Sequence, residues 1–113
     1  MKVKLGYEIQ RTKLFEKLVA TLHKRFKYIE SDIESFGDNL DDISKLGVHL
    51  GKNIYKVRIA NSDKNKGKSS GYRLISYLKI EDATLTYIYI YDKSDLESLS
   101  ENKLDKIIMD SVE

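Results

Sequence analysis

Cysteine is absent, and with it disulfides, thiolate nucleophiles and thiolate metal ligands. Proline is absent too; beside the wealth of Lys, Ile, Asn and Tyr this reads as genomic base composition and carries no mechanism. The two histidines, His23 and His49, cannot build a zinc site unaided. No apolar run approaches a bilayer span, and the N-terminus lacks the apolar core of a signal peptide. The expectation is therefore a soluble, cytoplasmic protein with no membrane partner. Phosphate-loop, Ser-His-Asp and paired-carboxylate signatures are missing as well. A chain of 113 residues is one domain, 1–113, with a single modest core.

What the sequence does have is charge sorted along its length. Between Lys52 and Lys79 stand Lys52, Lys56, Arg58, Lys64, Lys66, Lys68, Arg73 and Lys79 against a single acid, Asp63, although the whole chain carries a net charge of only +2. The stretch from Glu30 to Asp42 is acidic instead, with Glu30, Asp32, Glu34, Asp38, Asp41 and Asp42. A basic block among strand-like, tyrosine-bearing runs points to a polyanion, most simply nucleic acid. The acidic stretch reads as a solvated face that keeps such a partner to the other side.

Periodicity gives the elements. Val3, Leu5, Tyr7 and Ile9 alternate with polar neighbours, as in a strand buried on one face. Thr12 is placed to cap a helix whose stripe is Leu14, Phe15, Leu18, Val19, Leu22 and Phe26. Ser31 and Glu34 have capping-box spacing for a second helix carrying Ile33, Phe36, Leu40 and Ile43, with Gly37 as a weak point. Residues 45–52 read as a loop. Strands follow over Asn53–Ala60, Gly71–Ile80 and Thr84–Tyr91, the first two joined by a flexible basic loop and the last two by a tight turn at Glu81–Ala83. A last helix opens at Ser100 with Leu104, Ile107, Ile108 and Val112 as its stripe. The order β-α-α-β-β-β-α predicts an α+β fold: a four-stranded antiparallel sheet with every helix on one face. The other face then shows Lys56, Arg58, Arg73 and Tyr77, beside Tyr89 and Tyr91, with Lys93 at the strand end.

Such a face suits single-stranded RNA. Arginine clamps phosphate through its planar fork, and tyrosine stacks on unpaired bases at roughly 1–3 kcal/mol each. Cleavage needs no metal where the neighbouring 2′-hydroxyl attacks phosphorus, because the protein then has only to orient, neutralise charge and move protons. Arg58 and Arg73 suit the neutralisation; Lys56, Tyr91, Asp92 and Lys93 are the candidates for proton movement. Each part also has a plainer reading. Lys56 and Arg58 suit the wet side of an antiparallel strand, Lys64, Lys66 and Lys68 are ordinary loop charge, and Tyr87, Tyr89 and Tyr91 suit strand packing.

The ordered set Tyr55-Lys-Val-Arg-Ile59, Lys66-Gly-Lys-Ser-Ser-Gly-Tyr-Arg-Leu-Ile-Ser-Tyr77 and Ile90-Tyr-Asp-Lys-Ser-Asp95, with Phe15-Glu-Lys17 and Lys24-Arg-Phe-Lys-Tyr28, resembles the RelE/HigB toxins of bacterial type II toxin–antitoxin modules. The resemblance implies a microbial-ribonuclease-like fold and an endoribonuclease that cuts messenger RNA in the ribosomal decoding site, without metal or cofactor. It implies a toxin monomeric alone and hetero-oligomeric with a cognate antitoxin that covers or distorts the basic face. Lys56 and Arg58 match the family's basic pair on the strand before the loop, and Arg73 matches its arginine after Gly-aromatic. Lys93 matches the basic residue closing the last strand, with Tyr91 and Asp92 next to it. From the loop charge and the sheet face themselves, Lys64, Lys66, Lys68, Tyr77 and Tyr89 are the expected RNA contacts. The chain departs from the pattern at Ser69-Ser70-Gly71, where Ser-Gly-Gly is frequent, and at Leu99, where some relatives have tyrosine. The general acid and base stay unassigned. Two other readings remain open: a gyrase-poisoning toxin of the related ParE type, and a non-catalytic RNA- or partner-binding module.

Overall fold

The computed structural model describes residues 6–65, 67–96 and 100–111. Val3, Leu5, Lys66, Leu99 and Val112, all used in the reading above, lie outside the described residues. The chain runs β1 (Glu8–Arg11), α1 (Lys13–His23), α2 (Ile29–Asp38), β2 (Val48–Gly51), β3 (Ile54–Ile59), β4 (Tyr72–Lys79), β5 (Thr84–Asp92) and α3 (Glu101–Ser111), with short 3-10 turns between several of them.

The sheet is five-stranded and mixed, in the order β1-β5-β4-β3-β2, where four antiparallel strands were expected. β2 to β5 form the antiparallel meander, and β1 lies parallel to β5 with Glu8 opposite Thr84. The additional strand is β2, within the stretch expected to be a loop. It turns into β3 through Lys52 and Asn53, both at positive φ (53° and 61°), which is the left-handed pair of a two-residue hairpin turn.

α1 follows the expectation. The Thr12 hydroxyl accepts from the Phe15 N–H at 3.0 Å, and Phe15, Val19 and Leu22 go into the core. α2 starts two residues before Ser31, so the capping box is not formed. The N–H groups of Lys27 and Tyr28, just ahead of it, are taken by the Asp63 carboxylate from the basic loop, at 3.2 and 3.1 Å. Ile29 and Ile33 are both buried and set where the helix must begin; it ends at Asp38, one residue past Gly37, so Leu40 and Ile43 lie beyond it.

The helices do not share a face. α1 and α2 cover the side formed by Ile59, Tyr72, Leu74, Leu78, Leu85, Tyr87 and Ile90. α3 covers the opposite side, where Ile108 packs with Ile54, Ile75 and Tyr91, and with the half-buried Tyr77, Ile88 and Tyr89. The reason is visible in β3 and β4. Ile54 and Ile75 point away from α1 and α2, and a sheet apolar on both faces needs a second cover.

A bulge in β5 decides which tyrosines go where. Ile75 pairs with Tyr89 but Ser76 pairs with Tyr87, so Ile88 is an extra residue and the alternation changes phase there. Leu85 and Tyr87 face α1, whereas Tyr89 and Tyr91 face α3. Strict alternation had put all three tyrosines on one face. No described helix is long and apolar enough to cross a membrane.

Candidate active site

Three neighbouring strands bring Arg58, Arg73 and Tyr91 into one cross-strand row: Arg58 is directly opposite Arg73, and Arg73 is directly opposite Tyr91. Lys56 lies two residues before Arg58 on the same side of β3. Like charges opposed in a sheet repel, so such a row holds only with counter-charges nearby.

The counter-charges come from α3. The Lys56 ammonium donates to Glu101 Oε2 at 2.6 Å and to Asp105 Oδ2 at 2.5 Å. The Arg73 Nε donates to the same Glu101 oxygen at 3.4 Å. The remaining Arg73 nitrogens hold the basic loop through the carbonyl oxygens of Lys68 (3.3 Å) and Ser69 (3.0 Å), with a further bond to that of Tyr72 (3.4 Å). Arg73 is therefore wholly buried, at 0% exposure. Burial opposes ionisation of Glu101, but Lys56 and Arg73 outweigh it and hold its carboxyl below the usual carboxylate range. Tyr91, 7% exposed, has a hydroxyl without a hydrogen-bond partner among the described residues; burial first, then Glu101 and Asp105, push it well above the usual phenol value.

Asp92 belongs to a different cluster. It is fully buried and accepts from Lys64 Nζ at 2.6 Å, from Asn61 Nδ2 at 3.2 Å, and from the Ser94 N–H and hydroxyl. Burial works against its charge, yet Lys64, Ser94 and Asn61 prevail and its carboxyl lies below the ordinary aspartate value. Lys64 Nζ also donates to the Ser70 carbonyl at 3.1 Å, so the loop expected to be flexible is pinned at both ends. The acidic face is not all solvated either: Asp32 is buried and accepts from the Ser62 N–H at 3.0 Å and from its hydroxyl.

The exposed cations sit around this loop. Lys93 is exposed and lines a cleft of about 530 Å³ with Lys64, Ser69, Ser70 and Ser94. Arg58 is exposed and lines a second cleft of about 590 Å³, between α2 and β3, with Lys45, Lys68 and Phe36. Tyr77 and Tyr89 are half-buried beside α3, with Tyr89 edge-on to Tyr91 at 6.3 Å, so they are not open stacking platforms here. His23 is exposed on α1, and His49 lies against Tyr55 at 4.9 Å, away from the row. Among the described residues no group of three or more His, Asp or Glu side chains converges as a metal site would.

The structure thus brings Lys56, Arg73 and Tyr91 together and sets Asp92 with Lys64. Arg58 and Lys68 both line the cleft beside α2. The residues missed by sequence reasoning are Glu101 and Asp105. Their signal was available: at four-residue spacing they share a helix face with Leu104 and Ile108, so burying that stripe also buries two carboxylates.

The family model described as the RelE toxin of the RelE/RelB toxin–antitoxin system matches residues 9–109. Among solved structures, the free Escherichia coli toxin RelE bearing two arginine-to-alanine substitutions is similar in fold, with a TM-score of 0.52 at 16% identity over 89% of this chain and 97% of that one. A chain of the intact E. coli RelBE toxin–antitoxin complex gives a TM-score of 0.44 at 19% identity, over 76% of this chain and 95% of that one. No curated protein sequence matches the chain.

Proposed function

The chain belongs to the family of RelE toxins of toxin–antitoxin systems, and from that membership we propose that it is an endoribonuclease that cuts messenger RNA on the ribosome and so stops translation. The observation that carries the reading is the row Arg58–Arg73–Tyr91 with Lys56 beside it, three cations set side by side on adjacent strands against the cost of their mutual repulsion.

The chemistry follows from those groups. The 2′-oxygen of one nucleotide attacks the adjacent phosphorus, and its proton leaves to solvent. The bond from phosphorus to the 5′-oxygen breaks as the new bond forms, giving a 2′,3′-cyclic phosphate and a 5′-hydroxyl end. Arg73 and Lys56 neutralise the charge that builds on the phosphoryl oxygens. Tyr91 keeps its proton at neutral pH, because burial raises its pKa, and gives it to the departing 5′-oxygen. Arg58, Lys68 and Lys93, with Lys66 by its place in the sequence, hold flanking phosphates. Asp92 acts at one remove, by fixing Lys64 and the loop. Tyr77 and Tyr89 offer ring edges to bases where α3 leaves them uncovered.

In this reading the partners are a cognate antitoxin that covers the basic side, the ribosome and its message. Primer extension on messenger RNA after induction tests it: new 5′ ends and growth arrest are expected. Arrest with DNA-damage signalling and intact message would instead favour gyrase poisoning, and salt-sensitive RNA binding without cleavage would favour a binding module.

A further inference from the structure

The row Tyr91–Arg73–Arg58 crosses β5, β4 and β3 in turn and then leaves the sheet. β2 pairs with β3 only as far as Lys56, so among the described residues no strand pairs with Arg58 on its outer side. At that open edge lies the cleft of about 590 Å³ between α2 and β3. We propose that this cleft is a nucleobase pocket: it takes the base of a nucleotide next to the one being cut and gives the protein its sequence preference. The proposal rests on the ribonuclease reading and adds its specificity.

Three features favour a base. The first is the backbone. The Asn53 carbonyl accepts from the Leu78 N–H at 2.9 Å, so by alternation Val57 and Ile59 turn their backbone groups to β4. Arg58 then turns its N–H and C=O outward to the open edge, and one donor beside one acceptor suits the polar edge of a base. The open stretch is short, from Val57 to Ala60. β2 closes one end, and Ser62 closes the other, held at its N–H (3.0 Å) and its hydroxyl by Asp32 of α2. That length fits one flat ring rather than an added peptide strand, which needs a run of such pairs. The second is the lining. Phe36 and Val57, both half-buried, offer apolar surface to the ring face. The third is charge. Arg58 and Lys68 are exposed at the cleft, whereas the one acid that lines it, Asp32, is buried and engaged by Ser62. A base entering there brings its phosphates to those two cations. Two strand spacings put Arg58 about 10 Å from Tyr91, so the pocket serves a neighbour of the nucleotide being cut.

The test uses the full chain and a short single-stranded RNA bearing 2′-O-methyl groups, which is not cut, with one abasic nucleotide placed at each position in turn. Affinity is read by fluorescence anisotropy. The parent is expected to lose roughly tenfold at one position beside the cut site, as for the loss of one stacked base. Ser35→Leu, at an exposed position lining the cleft, fills it without touching the core. Phe36→Leu removes the ring and keeps apolar bulk. Both variants, shown to be folded by a thermal melt, are expected to bind the intact RNA more weakly. Both are also expected to lose the penalty at that position alone, with the losses elsewhere as in the parent. Equal losses at every position in the parent, or a position-specific loss that survives in both folded variants, overturns the pocket. So does an acidic peptide whose binding Ser35→Leu blocks while RNA binding is untouched, since the cleft would then be a protein-docking surface. Cleavage of an unmodified messenger is measured separately. A position-specific loss abolished in the variants, with no cleavage by the parent, keeps the pocket and sinks the ribonuclease reading; cleavage with equal abasic losses does the reverse.

Discussion

Arg58 and Arg73 stand directly opposite each other on adjacent strands, and among the described residues only Arg73 is paired with an acid, Glu101 from α3. The two have opposite structural standing. Arg73 is fully buried with its guanidinium engaged on several sides, whereas Arg58 is exposed and pairs with no acid among the described residues. Arg58→Ala is expected to leave stability within about 0.5 kcal/mol. Arg73→Ala is expected to cost about 3 kcal/mol, because it empties a fully buried site and takes the donor from the loop carbonyls of Lys68 and Ser69, while Glu101 keeps Lys56. Urea denaturation of both variants checks this, and equal losses would contradict the assignment.

The buried Asp92 ties acid stability to the basic loop. Its folded pKa lies below the unfolded value of about 3.9, so its contribution is complete above that pH and is lost as pH falls through the lower folded value. Glu101 behaves in the same sense. Asp92→Asn is therefore expected to cost about 3 kcal/mol at neutral pH and to flatten the stability profile below pH ~4. Thermal melts across pH 2–7 measure it. A variant as stable as the parent at neutral pH would refute the role.

The loop also needs Gly71. A Cβ there would lie 2.1 Å from the Ile59 carbonyl oxygen, in backbone that cannot yield cheaply, although its φ is ordinary. Gly71→Ala is expected to destabilise by about 1–3 kcal/mol through forced displacement of β3 from β4. Because Arg73 is two residues away, RNA affinity is expected to fall as well. A chemical melt paired with an anisotropy titration separates the two effects.

Much of this was legible in the residues, and what was not has physical causes. Thr12, the α1 stripe, the bounds of β3 and β4, and the facing of Tyr72, Leu74 and Leu78 follow from spacing alone, and the structure has them so. Tyr89 and Tyr91 lie beside Arg73 as expected, but Leu85 and Tyr87 turn to the opposite face across the bulge at Ile88, since a single inserted residue reverses the alternation and nothing in the sequence marks where. β2 was hidden because its turn uses Lys52-Asn53 rather than a glycine pair, at φ values that asymmetric residues adopt less often. The side taken by α3 was invisible for a different reason. Its stripe says only that it is buried; Ile54 and Ile75 alternate onto the face of Lys56 and Arg73 in the sequence itself, but two apolar residues among cations do not reveal that a helix covers them. That choice also turned an open basic face into a closed one.

The cap on α1 gives a local control away from the site. Thr12 accepts the Phe15 N–H, and Thr12→Ala is expected to cost about 1 kcal/mol without altering RNA affinity. A change in affinity at unchanged folding would mean that the helix packed on the far side of the sheet reaches the site after all.

The most direct test is primer extension on messenger RNA in a reconstituted translation reaction, comparing the parent chain with Arg58→Ala, the variant expected to keep its fold. The account predicts new 5′ ends within coding regions for the parent and at least a tenfold loss of them for Arg58→Ala, corresponding to about 1.4 kcal/mol of transition-state stabilisation. An Arg58→Ala protein that cuts as fast as the parent, or a parent that leaves the message whole, would contradict it.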